Sequence, residues 1–208
     1  MSMDISFIFQ ILILIFSVVV HEVSHGYAAL MQGDVTAKYE GRLTLNPIKH
    51  LDPVGSVILP LLLSLIPGGL MFGWAKPVPY NPYNLRNKRW GEVLVAAAGP
   101  LSNIIIATVF GLLVRFSETL NLGQSFVELS TIVVLINVVL VIFNLMPIPP
   151  LDGSKILFGL FPKQTLKLQA FFSKYNLIFL LIFIFFIWEY LTPVIIFVSE
   201  LFTGLKLM

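Results

Sequence analysis

The chain has 208 residues, 57% of them apolar and 12% charged, with a formal net charge of +2 and no cysteine. A water-soluble globule of this length needs more charge to cover its surface, and the mean hydropathy of +0.92 points to a bilayer as solvent. The composition also excludes a disulfide scaffold and a thiolate metal site, offers nothing to nucleic acid, and allows only a few crossings of about 20 residues each, with no room for a separate soluble domain.

The apolar run Ile5 to Val20 has no basic residue before it and leads into His21-Glu22 rather than a small-residue cleavage site. It reads as a retained transmembrane helix, not a signal peptide, continuing to Met31 and ending at Gly33-Asp34. Val35 to Leu45 then alternates apolar and polar side chains, which predicts a strand or short membrane-associated β-hairpin bent at Gly41. Val54 to Phe72 is apolar but broken by Pro60 and by Pro67-Gly68-Gly69, and Pro77, Pro79 and Pro82 exclude a helix in the stretch after it. Further spans are predicted over Trp90 to Val114, Ser125 to Met146 and about Asn176 to Phe202, the last bent at Pro193. The expected fold is an all-α polytopic membrane protein with about four to six transmembrane helices. It forms a single domain over 1–208, with a core over about 5–155 and C-terminal helices over 156–208.

Charge selects a topology. If Val54 to Phe72 dips into the membrane and returns, loops 32–51, 73–90 and 153–174 share one face, with eleven Lys and Arg there against two opposite. The positive-inside rule then favours a re-entrant hairpin, an extracytoplasmic N-terminus and those three loops in the cytoplasm. Irregular backbone at that depth needs a cover of protein or a wet cavity, and the Pro and Gly breaks suit it.

The chemistry is concentrated in the sequence HEVSH. On a helix, His21 and His25 lie one turn apart on the same face, about 6 Å along the axis, where both imidazoles reach one zinc ion. Glu22 is then placed as general base towards water at that zinc. Three ionisable groups within five residues of an apolar helix need a strong compensating partner. A loop origin for the motif fits poorly, because Val23 and Gly26 to Leu30 continue a mostly apolar helical run. Two histidines leave a third ligand to be found. His50 lies in a basic, Pro-flanked loop beside Lys49; Asp152 follows a span whose end is unwound by Pro147, Pro149 and Pro150. The residues alone leave Asp152-Gly153 open as either a ligand position or an ordinary turn.

HEVSHGYAAL, GRLTLNP, HLDPVG, GWAKPVP, AAGPLSN and NLMPIPPLDG, taken together over about Val20 to Lys155, resemble the site-2 protease family of intramembrane zinc metalloproteases. The family's N-x-x-P-x-x-x-L-D-G motif is matched at Asn144, Pro147, Leu151, Asp152 and Gly153. The resemblance implies one catalytic zinc held by His21, His25 and Asp152, and returns His50 to a loop role, capping or facing headgroups. It also implies that Asn144 donates to the substrate carbonyl or oxyanion, with an interhelical hydrogen bond as its alternative. Asn103 is similar to a family position near the site or serves helix packing, and Asn137, outside any motif, reads as a packing contact.

The implied activity is that of a zinc metalloendopeptidase in a multi-pass cell-membrane protein. It hydrolyses peptide bonds within or near transmembrane segments of membrane-protein substrates, as in regulated intramembrane proteolysis. Sixteen residues precede His21 from Ile5, about 24 Å of helix against a hydrocarbon core of about 30 Å. The site is thus expected inside the membrane, towards the cytoplasmic face. A shielded substrate helix must unwind, and either the Val35 to Leu45 strand or the extended KPVPYNPYN run is expected to pair with it or to plug the entrance. A zinc transporter or sensor would line a route with polar residues, which Ile104 to Val114 and Leu177 to Ile187 hardly carry, and a non-catalytic membrane-protein binder would not need Glu22. The lipid bilayer and transmembrane substrates are the expected partners; a homo-oligomer is left open.

Overall fold

The computed structural model describes residues 2–58 and 74–207. Helix α1 runs over Ser2–Met31, α2 over Thr36–Tyr39, α3 over Gly91–Arg115, α4 over Gln124–Asn144, α5 over Asp152–Leu160, α6 over Pro162–Lys174, α7 over Asn176–Ile182 and α8 over Trp188–Thr203. A wide turn, Phe183–Ile187, links α7 to α8 so that the pair forms one apolar rod with Pro193 inside it. Among the described residues, four segments are long and apolar enough to cross a membrane: Phe7–Met31, Gly91–Arg115, Gln124–Asn144 and Ile178–Thr203. Their large side chains stay exposed, for example Phe16, Ile105 and Phe197, as lipid-facing residues do.

Helix α3 is the hub. It packs against α1, α4, α5 and α8. Ala107, Val134, Val138 and Ile195 form the buried centre of the α3–α4–α8 contact, with Trp188 and Phe202 closing around them. Gly111 brings α3 within reach of Phe202, whose Cβ would lie 2.9 Å from any Cβ placed there, the close approach that small residues allow between membrane helices. Hydroxyls within these rods turn inward on their own helices. Ser24, Thr108, Thr131, Ser199 and Thr203 each donate to the carbonyl four residues back, so none needs water.

The β-hairpin expected over Val35 to Leu45 is not formed, and no strand occurs among the described residues. Asp34 accepts from both the amide and the hydroxyl of Thr36 at 3.2 and 2.6 Å, and so starts the single helical turn of α2. Gly41, at φ +63°, ends it in the left-handed conformation, with Arg42 N–H bonded back to Ala37. Arg42, a polar-face residue in a strand reading, is instead buried and donates to the carbonyls of Lys76 and Pro77. Local turn hydrogen bonding thus overrides the period-2 pattern. The re-entrant hairpin expected over Val54 to Phe72 falls mostly on residues 59–73, outside the described residues; the wide helical turn Pro53–Ile58 is what is described of its start.

Two loop layers, 32–50 and 74–90, are stapled to each other at one end of α1. Asp34, fully buried, also accepts from Asn81 N–H and the Asn84 amide at 2.7 and 3.0 Å, while Arg86 N–H reaches Gln32 O at 2.8 Å. Burial alone would raise the Asp34 carboxyl; the hydrogen bonds from Thr36, Asn84 and Asn81 outweigh it and hold the carboxyl below its ordinary value. The carboxylate therefore stabilises the fold above the ordinary carboxylate range, and this is lost as pH falls through the lowered value. Asp34→Ala leaves several partly buried donors unpaired. It should cost about 2 kcal/mol or more in thermal unfolding and open the 76–89 stretch to trypsin. Wild-type stability should fall below about pH 4, and Asp34→Asn should remove that part of the acid dependence.

Candidate metal centre

His21 and His25 sit on one face of α1 and are buried, with their rings edge to face at 4.7 Å between centroids. Opposite them, the chain leaves α4 at Asn144, turns through Met146 to Leu151 and starts α5 with Asp152. Gly153 permits that turn, since a Cβ there would lie 2.1 Å from the carbonyl oxygen of Leu145. The result carries Asp152 Oδ2 to 3.1 Å from His21 Nε2 and 3.1 Å from His25 Nε2, across more than a hundred residues of sequence. Its other oxygen, Oδ1, faces Lys155 Nζ at 3.9 Å. Lys155 in turn lies over the Tyr80 ring at 5.5 Å.

One face of α3 backs the histidines. Val95, Gly99 and Asn103 follow one another at four-residue spacing. The Val95 carbonyl accepts from His25 Nδ1–H at 2.7 Å, and the Asn103 side-chain oxygen accepts from His21 Nδ1–H at 2.6 Å. Between them, Gly99 leaves the space the rings fill: a Cβ there would lie 2.5 Å from His21 Nε2 and from His25 Nε2. A carbonyl oxygen can only accept, so both imidazoles carry a proton on Nδ1, and Nε2 is the nitrogen each turns towards Asp152.

Three electron-rich atoms, two nitrogens and a carboxylate oxygen, therefore converge in a buried place. Such convergence is repulsive unless a cation or protons lie between them. The donor set of two imidazoles and a carboxylate is one that suits zinc, so the residues fit a metal. His21, Glu22 and His25 also offer ligand atoms all within 4.8 Å of one another. The Glu22 carboxylate is held at one oxygen, Oε2, which accepts from Val78 N–H at 2.8 Å. A cavity of about 120 Å³ opens beside these groups and is lined by His21, Glu22, His25, Pro77, Val78, Tyr80, Asn144, Pro150, Leu151, Asp152 and Lys155.

The structure thus gathers His21, Glu22, His25, Asn144 and Asp152 around one cavity. Asn144 has one amide N–H on Leu140 O at 2.9 Å. Asn103 lies behind His21 rather than in the cavity. His50 is remote from the centre in its bonding: it is buried rather than facing headgroups, its Nε2 pairs with Thr44 O and its main-chain carbonyl accepts from Lys76. Asn137 packs against α3 through a hydrogen bond, its side chain bonding that of Asn103 at 2.8 Å. A signal for it lay in the sequence, because Asn137 and Asn144 are seven residues apart on one apolar helix and so share a face.

Gly99→Ala separates the centre from the fold. Alanine favours a helix interior over glycine by about 0.5–1 kcal/mol, yet here its methyl group enters the space of both rings. The variant should fold with its four spans intact and purify with metal content well below wild type by elemental analysis.

Residues 117–187 match the model of peptidase family M50, the stretch that includes Asn144 and Asp152. Three relatives share the name "Putative zinc metalloprotease". YwhC of Bacillus subtilis is 38% identical over 187 residues, covering 85% of this chain and 80% of its own. Rip2 of Mycolicibacterium smegmatis is 32% identical over 66% of this chain and 51% of its own. MJ0611 of Methanocaldococcus jannaschii is 30% identical over 72% of each. No solved structure matches the chain. With the similarity to the first of these extending along most of both sequences, the chain belongs to peptidase family M50.

Proposed function

We propose that this protein is an intramembrane zinc metalloprotease of the HExxH type, acting on peptide bonds within or near transmembrane segments of membrane proteins. The observation that carries the reading is the meeting of His21 Nε2, His25 Nε2 and Asp152 Oδ2 at 3.1 Å beside the carboxylate of Glu22. One zinc ion would be held by His21, His25 and Asp152, and the chemistry it supplies is Lewis acidity towards a water molecule and a peptide carbonyl.

The protein groups divide the remaining work. Val78 N–H engages Glu22 Oε2 and leaves Oε1 to take a proton from the attacking water. The same carboxyl then delivers that proton to the leaving amine as the C–N bond breaks, so the products are a carboxylate and an amine. Asn144 lines the cavity and has a second amide hydrogen beyond the one engaged by Leu140, available to the oxyanion. Burial of the histidines and Asp152 keeps bulk water from competing for them.

The run 74–81 borders the cavity as a wall rather than as a strand edge. Pro77 and Pro79 have no N–H, the Val78 N–H is on Glu22, and the Lys76 and Pro77 carbonyls accept from Arg42. Several main-chain groups there are thus already engaged, which favours its role in closing the entrance. The basic loops support an extracytoplasmic N-terminus and a site towards the cytoplasmic face. One folded domain accounts for α3 contacting α1, α4, α5 and α8.

The test is cleavage of a single-span model substrate by purified protein in vesicles, with zinc content measured on the same samples. Glu22→Gln should retain zinc and lose cleavage by about a hundredfold or more, whereas Asp152→Ala should lose zinc. Undiminished cleavage by Glu22→Gln would rule out Glu22 as the base.

A further inference from the structure

Asn137 lies on α4 with no contact to the cavity, yet it is fully buried in an apolar span, as is Asn103. The two amides belong to a single hydrogen-bond chain that runs through three helices. Asn103 Nδ2 donates to Asn137 Oδ1 at 2.8 Å and, less closely, to the Ser17 carbonyl at 3.4 Å. Asn137 Nδ2 donates to Ser17 Oγ at 3.0 Å and to the Val133 carbonyl at 2.8 Å. The two main-chain carbonyls fix which end of each amide is nitrogen, because only the NH₂ group can face them. The polarity of the chain therefore has one direction, and its last acceptor is Asn103 Oδ1, aimed at His21 Nδ1.

The two histidines differ in this respect. His25 takes its tautomer from a main-chain carbonyl, Val95, held by its helix. His21 takes its tautomer from a side-chain amide that is free to rotate unless something holds it. Without Asn137, Asn103 keeps only the longer Ser17 contact, and its NH₂ group can turn towards His21, which would move the lone pair of His21 from Nε2 to Nδ1, away from Asp152. We propose that Asn137 is a positioning residue for the metal centre, locking the Asn103 amide so that His21 presents Nε2 to the ion. This rests on the zinc reading above. Groups that orient a ligating histidine typically change metal affinity 10- to 100-fold when removed.

The test measures zinc dissociation constants by competition with a chromophoric chelator, alongside the thermal midpoint of the metal-free protein. Asn137→Leu, of similar volume and without polar ends, should bind zinc about tenfold more weakly. Asn137→Asp keeps an oxygen to accept from Asn103 and a polar partner for Ser17 Oγ, and should restore binding close to wild type. In an Asn103→Ala background, Asn137→Leu should cause no further loss, because its effect passes through that amide. Nitrogen NMR of labelled histidine should show His21 as the Nδ1–H tautomer in wild type and in Asn137→Asp, and as a mixture in Asn137→Leu. Should Asn137→Leu fail to fold, the Asn137→Asp spectrum decides alone, and an Nε2–H tautomer there overturns the proposal. It is also overturned if Asn137→Leu binds zinc like wild type, or weakens it equally with and without Asn103. A wild type that binds no zinc would remove the metal reading itself, an outcome distinct from zinc binding that ignores Asn137.

Discussion

Two imidazoles and a carboxylate, each presenting lone pairs to the same point in an apolar interior, are the constraint around which this molecule is arranged. Uncompensated, such groups repel one another and forfeit their hydration. Their burial at 3.1 Å separations is tolerable with a cation among them, and the remainder of the site reads as support for that arrangement. Helix α3 supplies the Val95 carbonyl, the vacancy at Gly99 and the Asn103 amide from one face. Gly153 lets the backbone after α4 fold tightly enough to return Asp152 to α1. The hub position of α3 follows, since it must touch the histidine helix and the aspartate helix at once.

Closure of the centre is a separate task, carried by the loops. Asp34 ties α1 to the Asn81–Asn84 turn, Arg42 holds the Lys76 and Pro77 carbonyls, and Val78 N–H engages Glu22. The prolines on both sides of Val78 leave its amide without a competing neighbour in that stretch. One short run thus both walls the cavity and orients the proposed base. The same bonds help irregular backbone persist beside apolar spans, because they pair many of its polar groups internally.

How much of this was legible in the sequence depended on the range of the interaction that decides it. The four spans and the shared face of His21 and His25 follow from apolar runs and helical period, both local properties. The Val35 to Leu45 stretch misled because its alternation is real, but the Asp34–Thr36 turn, the Gly41 turn and burial of Arg42 decide the conformation. Asp152 could be matched to the centre only through a family motif, since nothing local says that a turn after α4 comes back to α1. Asn137 was readable as a packing contact but not as a partner of Asn103, because that bond depends on a neighbour on another helix.

X-ray absorption at the zinc edge of the purified, lipid-reconstituted protein addresses the centre most directly. The expected spectrum has nitrogen and oxygen scatterers at about 2.0–2.2 Å, with the multiple-scattering signature of two imidazoles and no sulfur. His21→Ala, His25→Ala or Asp152→Ala should each change that first shell or abolish the signal. A zinc shell that survives unchanged in all three variants, or a fully folded wild type that takes up no zinc, would contradict the assignment of these residues as ligands.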